Sequence, residues 1–111
     1  MSECKSIARI VLTTAADPDE AGRLAHTLVE ERLIACATLI PSVRSIYRWQ
    51  GEVEDSTETL LLLKTGAQQV AALEARLKTL HSYDTPEFLV LPVESGSHAY
   101  LEWLQTGLRK S

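Results

Sequence analysis

This sequence has no surplus of positive charge. Its 11 Lys and Arg are outnumbered by 15 Asp and Glu, for a formal net charge of −4. The basic footprint that a nucleic-acid partner requires is therefore missing. Aromatic residues make up only 5% of the chain, and neither "IARIVLTT" nor "TLLLLKT" contains one. That excludes RNA reading by stacking on the central strands of a sheet. No apolar run approaches the roughly 18 residues of a membrane span, so no membrane partner is expected. "MSECKSIARI" lacks the apolar stretch of a secretory signal. Only two cysteines are present, too few for a disulfide framework and without a C-x-x-C pair. Together these points predict a cytoplasmic protein. Cys4 lies in a terminus expected to fray, and Cys36 in an apolar run reads as a small core residue.

What is present suffices for one ordinary domain. The chain has 111 residues, 45% of them hydrophobic, enough to build a core without a metal or disulfide. Residues 7–14 read as a buried, β-branched strand. Asp17, Pro18 and Glu20 occupy the N-cap, first-turn and capping-box positions of a helix expected over 18–33. Ala21, Leu24, Ala25 and Leu28 form its apolar face. "IACATLIP" reads as a strand buried on both faces, and Pro41 implies a bulge or edge. An extended arm then runs to a tight turn at Gln50-Gly51, and a second strand returns through "LLLLKT". Val70, Leu73, Leu77 and Leu80 stripe a second helix. "EFLVLPV" is a last strand. A short helix capped by Ser97 turns Tyr100, Leu101, Leu104 and Leu108 inward. The order is βαββαβ plus a C-terminal helix, an α+β ferredoxin-like antiparallel sheet.

The hairpin between the second and third strands is too long for that domain. Arms of about 14 residues reach roughly 45 Å, whereas the first helix covers only roughly 24 Å. The tip, carrying Val43, Ile46, Tyr47 and Trp49, should overhang by about 20 Å. An isolated ribbon is marginal in water and its edges invite pairing. A homo-oligomer is expected, and closure of head-to-tail contacts favours a cyclic trimer over a fibre. Glu52, Glu54, Asp55 and Glu58 on the returning arm could ligate a hard cation. With no Gly-centred calcium loop, they read better as charges that keep the hairpin edge soluble.

The densest polar cluster is "HSYDTPE", residues 81–87. On spacing alone it is a helix end at His81, a turn at Ser82 and Asp84, and a strand entry set by Pro86. The chemical alternative is a pocket between subunits where His81, Tyr83 and Glu87 meet Lys64 and Cys36. Copper or zinc would want three or four nitrogen and sulfur ligands. The three histidines, His26, His81 and His98, form no H-x-H or H-x₃-H pair. No nucleophile elbow, P-loop or dinucleotide fingerprint is present, so no enzymatic activity is expected.

Five blocks in order and in register, "ACATLIP", "YRWQG", "LLKT", "HSYDTPE" and "YLEWL", resemble the CutA proteins, named for divalent-cation tolerance. The likeness runs from Ile10 to Leu108. It implies a ferredoxin-like fold, a homotrimer similar to the PII signalling proteins, a cytoplasmic location and a role in tolerance to copper and other divalent ions. It carries over no established reaction. Some members offer a first-strand Cys and two adjacent His as copper ligands. Here those positions hold Thr13 and Leu80-His81, so of that set only His81 remains as a metal ligand. The functions to test are a metal-homeostasis trimer binding Cu²⁺ or another divalent ion weakly through His81 and carboxylates, a PII-like module holding a small anionic ligand or protein partner at subunit clefts through Lys64, Tyr83 and Glu87, and a ligand-free assembly scaffold.

Overall fold

The computed structural model describes residues 6–110; Cys4 lies outside them. The elements are β1 (Ala8–Ala15), α1 (Pro18–Glu30), β2 (Cys36–Trp49), β3 (Glu52–Gly66), a 3₁₀ turn (Ala67–Gln69), α2 (Val70–Leu80), β4 (Leu89–Pro92) and α3 (His98–Thr106). The sheet order is β2-β3-β1-β4 with every neighbouring pair antiparallel. This is the expected ferredoxin-like arrangement with an added helix.

Local chemistry accounts for most element ends. Asp17 Oδ1 accepts from the Glu20 N–H at 2.8 Å, with Pro18 in the first turn, and the Ser97 hydroxyl accepts from the Tyr100 N–H at 3.2 Å. Gln50 and Gly51 both have positive φ, 50° and 83°, as the favoured two-residue hairpin turn demands. Register slips between Ile40 and Val43, and Ser42 sits at φ 61°, so Pro41 does mark a bulge. α1 ends at Glu30, short of the expected residue 33. Arg32 takes φ 60°, and the Leu33 and Ile34 N–H groups both donate to the Leu28 carbonyl. This reversal drops Leu33 and Ile34 into the core, at 1% and 0% exposure. Tertiary burial outweighs another helical turn, since each such side chain contributes about 1.5–3 kcal/mol.

One face of the sheet is covered. Val11 and Ala15 of β1 and Leu61 and Leu63 of β3 pack beneath α1 and α2 with Leu28 and Leu73. The other face is largely bare. Alternation along the strands puts Ile10, Leu12, Ile40, Leu60, Leu62 and Leu91 there, with Ile40 and Leu91 exposed. α3 covers only one end, through Leu104 and Leu108 against Ala8. β2 is an edge strand and no residue of it is fully buried, which corrects the reading of "IACATLIP" as buried on both faces. Cys36 is accordingly half-exposed rather than core, and Tyr100 points outward instead of joining the inner face of α3. β4 has four residues, all exposed.

The hairpin is as long as expected. Its ladder continues from Val43↔Glu58 to Trp49↔Glu52, beyond the last β1–β3 pair, Ala15↔Thr59. The domain measures 51 × 26 × 22 Å. Arg44 and Asp55 form a two-pronged ion pair across this ribbon, at 2.7 and 3.0 Å. Asp55 therefore serves the hairpin itself, and the guanidinium holds its carboxyl below the usual range.

Candidate functional site

The site is assembled where α2 ends. The His81 N–H closes the helix on the Leu77 carbonyl at 2.9 Å, and the residue itself is extended. This turns its ring inward, where the side chain has no exposed surface. Nε2 lies 2.7 Å from the Thr14 carbonyl of β1, and Nδ1 accepts from the Tyr83 N–H at 3.0 Å. These partners select the Nε2–H tautomer. Both nitrogens are engaged, so a metal could bind His81 only by displacing a buried hydrogen bond. The expected metal ligand is thus a bracket holding the 81–87 loop to β1.

Glu20 holds the same loop from the other side. Its carboxylate accepts from the Ser82 N–H at 2.9 Å, the Ser82 hydroxyl at 3.0 Å and the Ala16 N–H at 3.3 Å. It reaches back to Ala16, one residue before the cap, so the capping-box expectation holds in a shifted form. Burial by itself would raise this carboxyl. The Ser82 and Ala16 donors and the nearby His81 ring outweigh it and hold the group below its ordinary value.

Held at both sides, the loop presents Tyr83 to the hairpin base. Its hydroxyl donates to Glu58 Oε2 at 2.6 Å. Burial, then the Glu58 carboxylate, pushes the phenol well above its ordinary range. The His81 and Tyr83 rings stack obliquely at 4.6 Å. Between this loop and the hairpin lies a cleft of about 680 Å³. Tyr47 and Trp49 line it from the hairpin, Glu58 from its base, and Asp84 and Glu87 from the loop. Among the described residues no Lys or Arg lines it.

Tyr83 and Glu87 therefore meet as expected, and His81 stands behind them. Lys64 and Cys36 do not join them within one chain. Lys64 pairs with Cys36 and Ile10 on the bare sheet face, and its Nζ donates to Thr38 Oγ1 at 2.8 Å. It lies four residues along β3 from Leu60, about 13 Å. Cys36 Sγ sits 3.7 Å from the Tyr100 hydroxyl. His26 and His98 are exposed. Among the described residues, no three His, Cys, Asp or Glu side chains converge as a metal site, and no helix is long and apolar enough to cross a membrane. Sequence reasoning missed Glu58, Tyr47 and Trp49 as partners of the loop. A usable signal existed. Counting back from the Gln50-Gly51 turn pairs Val43 with Glu58, which puts Glu58, Tyr47 and Trp49 on one face.

Comparison with known proteins agrees with the fold. The family model described as "CutA1 divalent ion tolerance protein" matches residues 9–107. The divalent-cation tolerance protein CutA of Pectobacterium atrosepticum is 48% identical over 100 residues, covering 90% of this chain and 91% of that protein. Protein CutA 1, chloroplastic, of Oryza sativa subsp. japonica is 38% identical over 102 residues, 92% of this chain and 58% of that one. The crystal structure of CutA1 from Oryza sativa superposes with a TM-score of 0.93 at 36% identity, covering 96% of this chain and 98% of that chain. Sequence blocks, strand order and helix placement thus converge, and the chain belongs to the CutA1 divalent ion tolerance family.

Proposed function

We propose that this chain acts in tolerance to divalent metal ions as a non-catalytic homotrimer of the cytoplasm. The observation that carries the reading is the bare sheet face. Ile10, Leu12, Ile40, Leu60, Leu62 and Leu91 form an apolar surface next to a hairpin that projects past the domain. A patch of that kind needs covering, and a second copy of the chain offers the same chemistry. The free Cys36 thiol suits a reducing compartment, although the rice relative is named chloroplastic.

The fold requires no cofactor. Copper or another divalent ion is held weakly, through exposed carboxylates such as Glu87 rather than through His81, whose nitrogens are engaged. The alternative of a PII-like module binding a small anion is less well served. The cleft is acidic, and Lys64 would need a neighbouring copy to bring it near Tyr83 and Glu87.

Light scattering on protein purified without chelator, combined with metal analysis, tests the assembly. A trimer mass is expected, and Leu62→Glu should dissociate it. A wild-type monomer at micromolar concentration would sink the reading. Calorimetry with Cu²⁺ should give the same weak heats for wild type and His81→Ala. A saturable site lost in that variant would restore His81 as a ligand.

A further inference from the structure

The cleft has a feature that divalent-ion tolerance does not use. Glu58 is 9% exposed, and the Tyr83 hydroxyl occupies only Oε2. No cationic side chain pairs with this carboxylate among the described residues. A carboxylate this buried is stabilised by a cation beside it. Asp84 and Glu87 add negative charge along the loop, while Tyr47 and Trp49, exposed at 44% and 57%, supply aromatic faces on the hairpin side.

The spacing of these groups decides which cation fits. The three carboxylates do not converge as a metal site. They are distributed along a wall that is partly aromatic, in a space of about 680 Å³, the size of a small-molecule site. Separated negative charges with aromatic surface between them match a flexible organic cation carrying separated ammonium groups. Its methylenes would lie on Tyr47 and Trp49, its ammonium groups would meet the carboxylates, and ring faces attract such charges as well.

We propose that the cleft between the hairpin base and residues 83–87 is a binding site for an aliphatic polyamine, with Glu58 anchoring one ammonium group and Glu87 a second. Every lining residue comes from one chain, so the site stands or falls independently of the trimer. The overall negative charge aids capture at low ionic strength.

Fluorescence of Trp49, isolated in a Trp103→Phe background of the full chain, tests the site. The probes are putrescine and spermidine, with butanol and magnesium chloride as controls. Both amines should give saturable changes with midpoints below about 1 mM, spermidine the lower. Glu58→Gln keeps an acceptor for Tyr83 and should raise the midpoint about tenfold or more, the effect of losing a charged hydrogen bond. Glu87→Gln, at an exposed rim position, should weaken spermidine more than butanol without touching the fold. The proposal is overturned by the absence of saturation up to about 10 mM amine, by a midpoint that Glu58→Gln leaves unchanged, or by equal responses to butanol or magnesium chloride.

Discussion

Replacing His81 by Ala separates a structural bracket from a metal ligand. The substitution removes a ring with no exposed surface and strands two buried groups, the Thr14 carbonyl and the Tyr83 N–H. Each buried group left without a partner costs about 1–3 kcal/mol, and the space vacated by the ring adds to that. A total near 4 kcal/mol follows, a large part of the roughly 5–15 kcal/mol that holds a domain together. With a urea m-value of about 2 kcal/mol/M, the unfolding midpoint should fall by about 2 M. Protomer concentration must be held fixed, because assembly contributes to apparent stability. His81→Gln offers one amide that can donate to Thr14, and should recover part of the loss. If His81→Ala unfolds within about 0.5 kcal/mol of wild type, the range of ordinary surface substitutions, the bracket account is wrong.

Other consequences can be measured with the same equipment. Glu20 has its carboxyl lowered in the folded state; its stabilisation is therefore complete above the unfolded value near 4.5 and is lost as pH falls through the lower folded value. Acid titrations followed by circular dichroism should show wild type losing stability below that point more steeply than Glu20→Gln; parallel curves would refute the assignment. Thr13 and Thr59 are buried at 0% and 1% exposure with hydroxyls that have no partner, so Thr13→Val or Thr59→Val should raise stability by about 1 kcal/mol in urea unfolding. A clear loss would mean those hydroxyls are satisfied by ordered water. Gly66→Ala places a methyl group 2.6 Å from Gln69 Oε1 and 3.0 Å from Leu108 Cδ1; thermal melts should show a loss of about 1–3 kcal/mol from overpacking, and an unchanged melt would show that Gln69 swings away freely.

Much of the architecture can be read directly from the chain because it depends on neighbours in sequence. Asp17 and Ser97 cap helices through donors three residues away. Pro41 breaks the ladder because it lacks an N–H, and Gln50-Gly51 turns the chain because Gly accepts positive φ. The hairpin's overhang follows from the rise per residue alone. Family motifs such as "ACATLIP" and "HSYDTPE" then narrow the fold and the class of function together. Tyr83 and Glu87 also belong to one short segment, so their shared cleft was legible as a polar cluster.

The sequence by itself determined the order of the elements, the caps, the turn and the hairpin's length, since each is set by covalent geometry and contacts within a few residues. Only the tertiary structure decided what His81 does, because Thr14 lies 67 residues away and its carbonyl reaches the ring only once β1 and the end of α2 are packed. The same holds for Glu58 and Tyr83, 25 residues apart, and for Lys64, which alternation along β3 sends to the bare face. A side chain's partners are fixed by strand register and by which face of the sheet the helices cover. That is why "HSYDTPE" looked like a metal site in one dimension and forms a braced cleft wall in three.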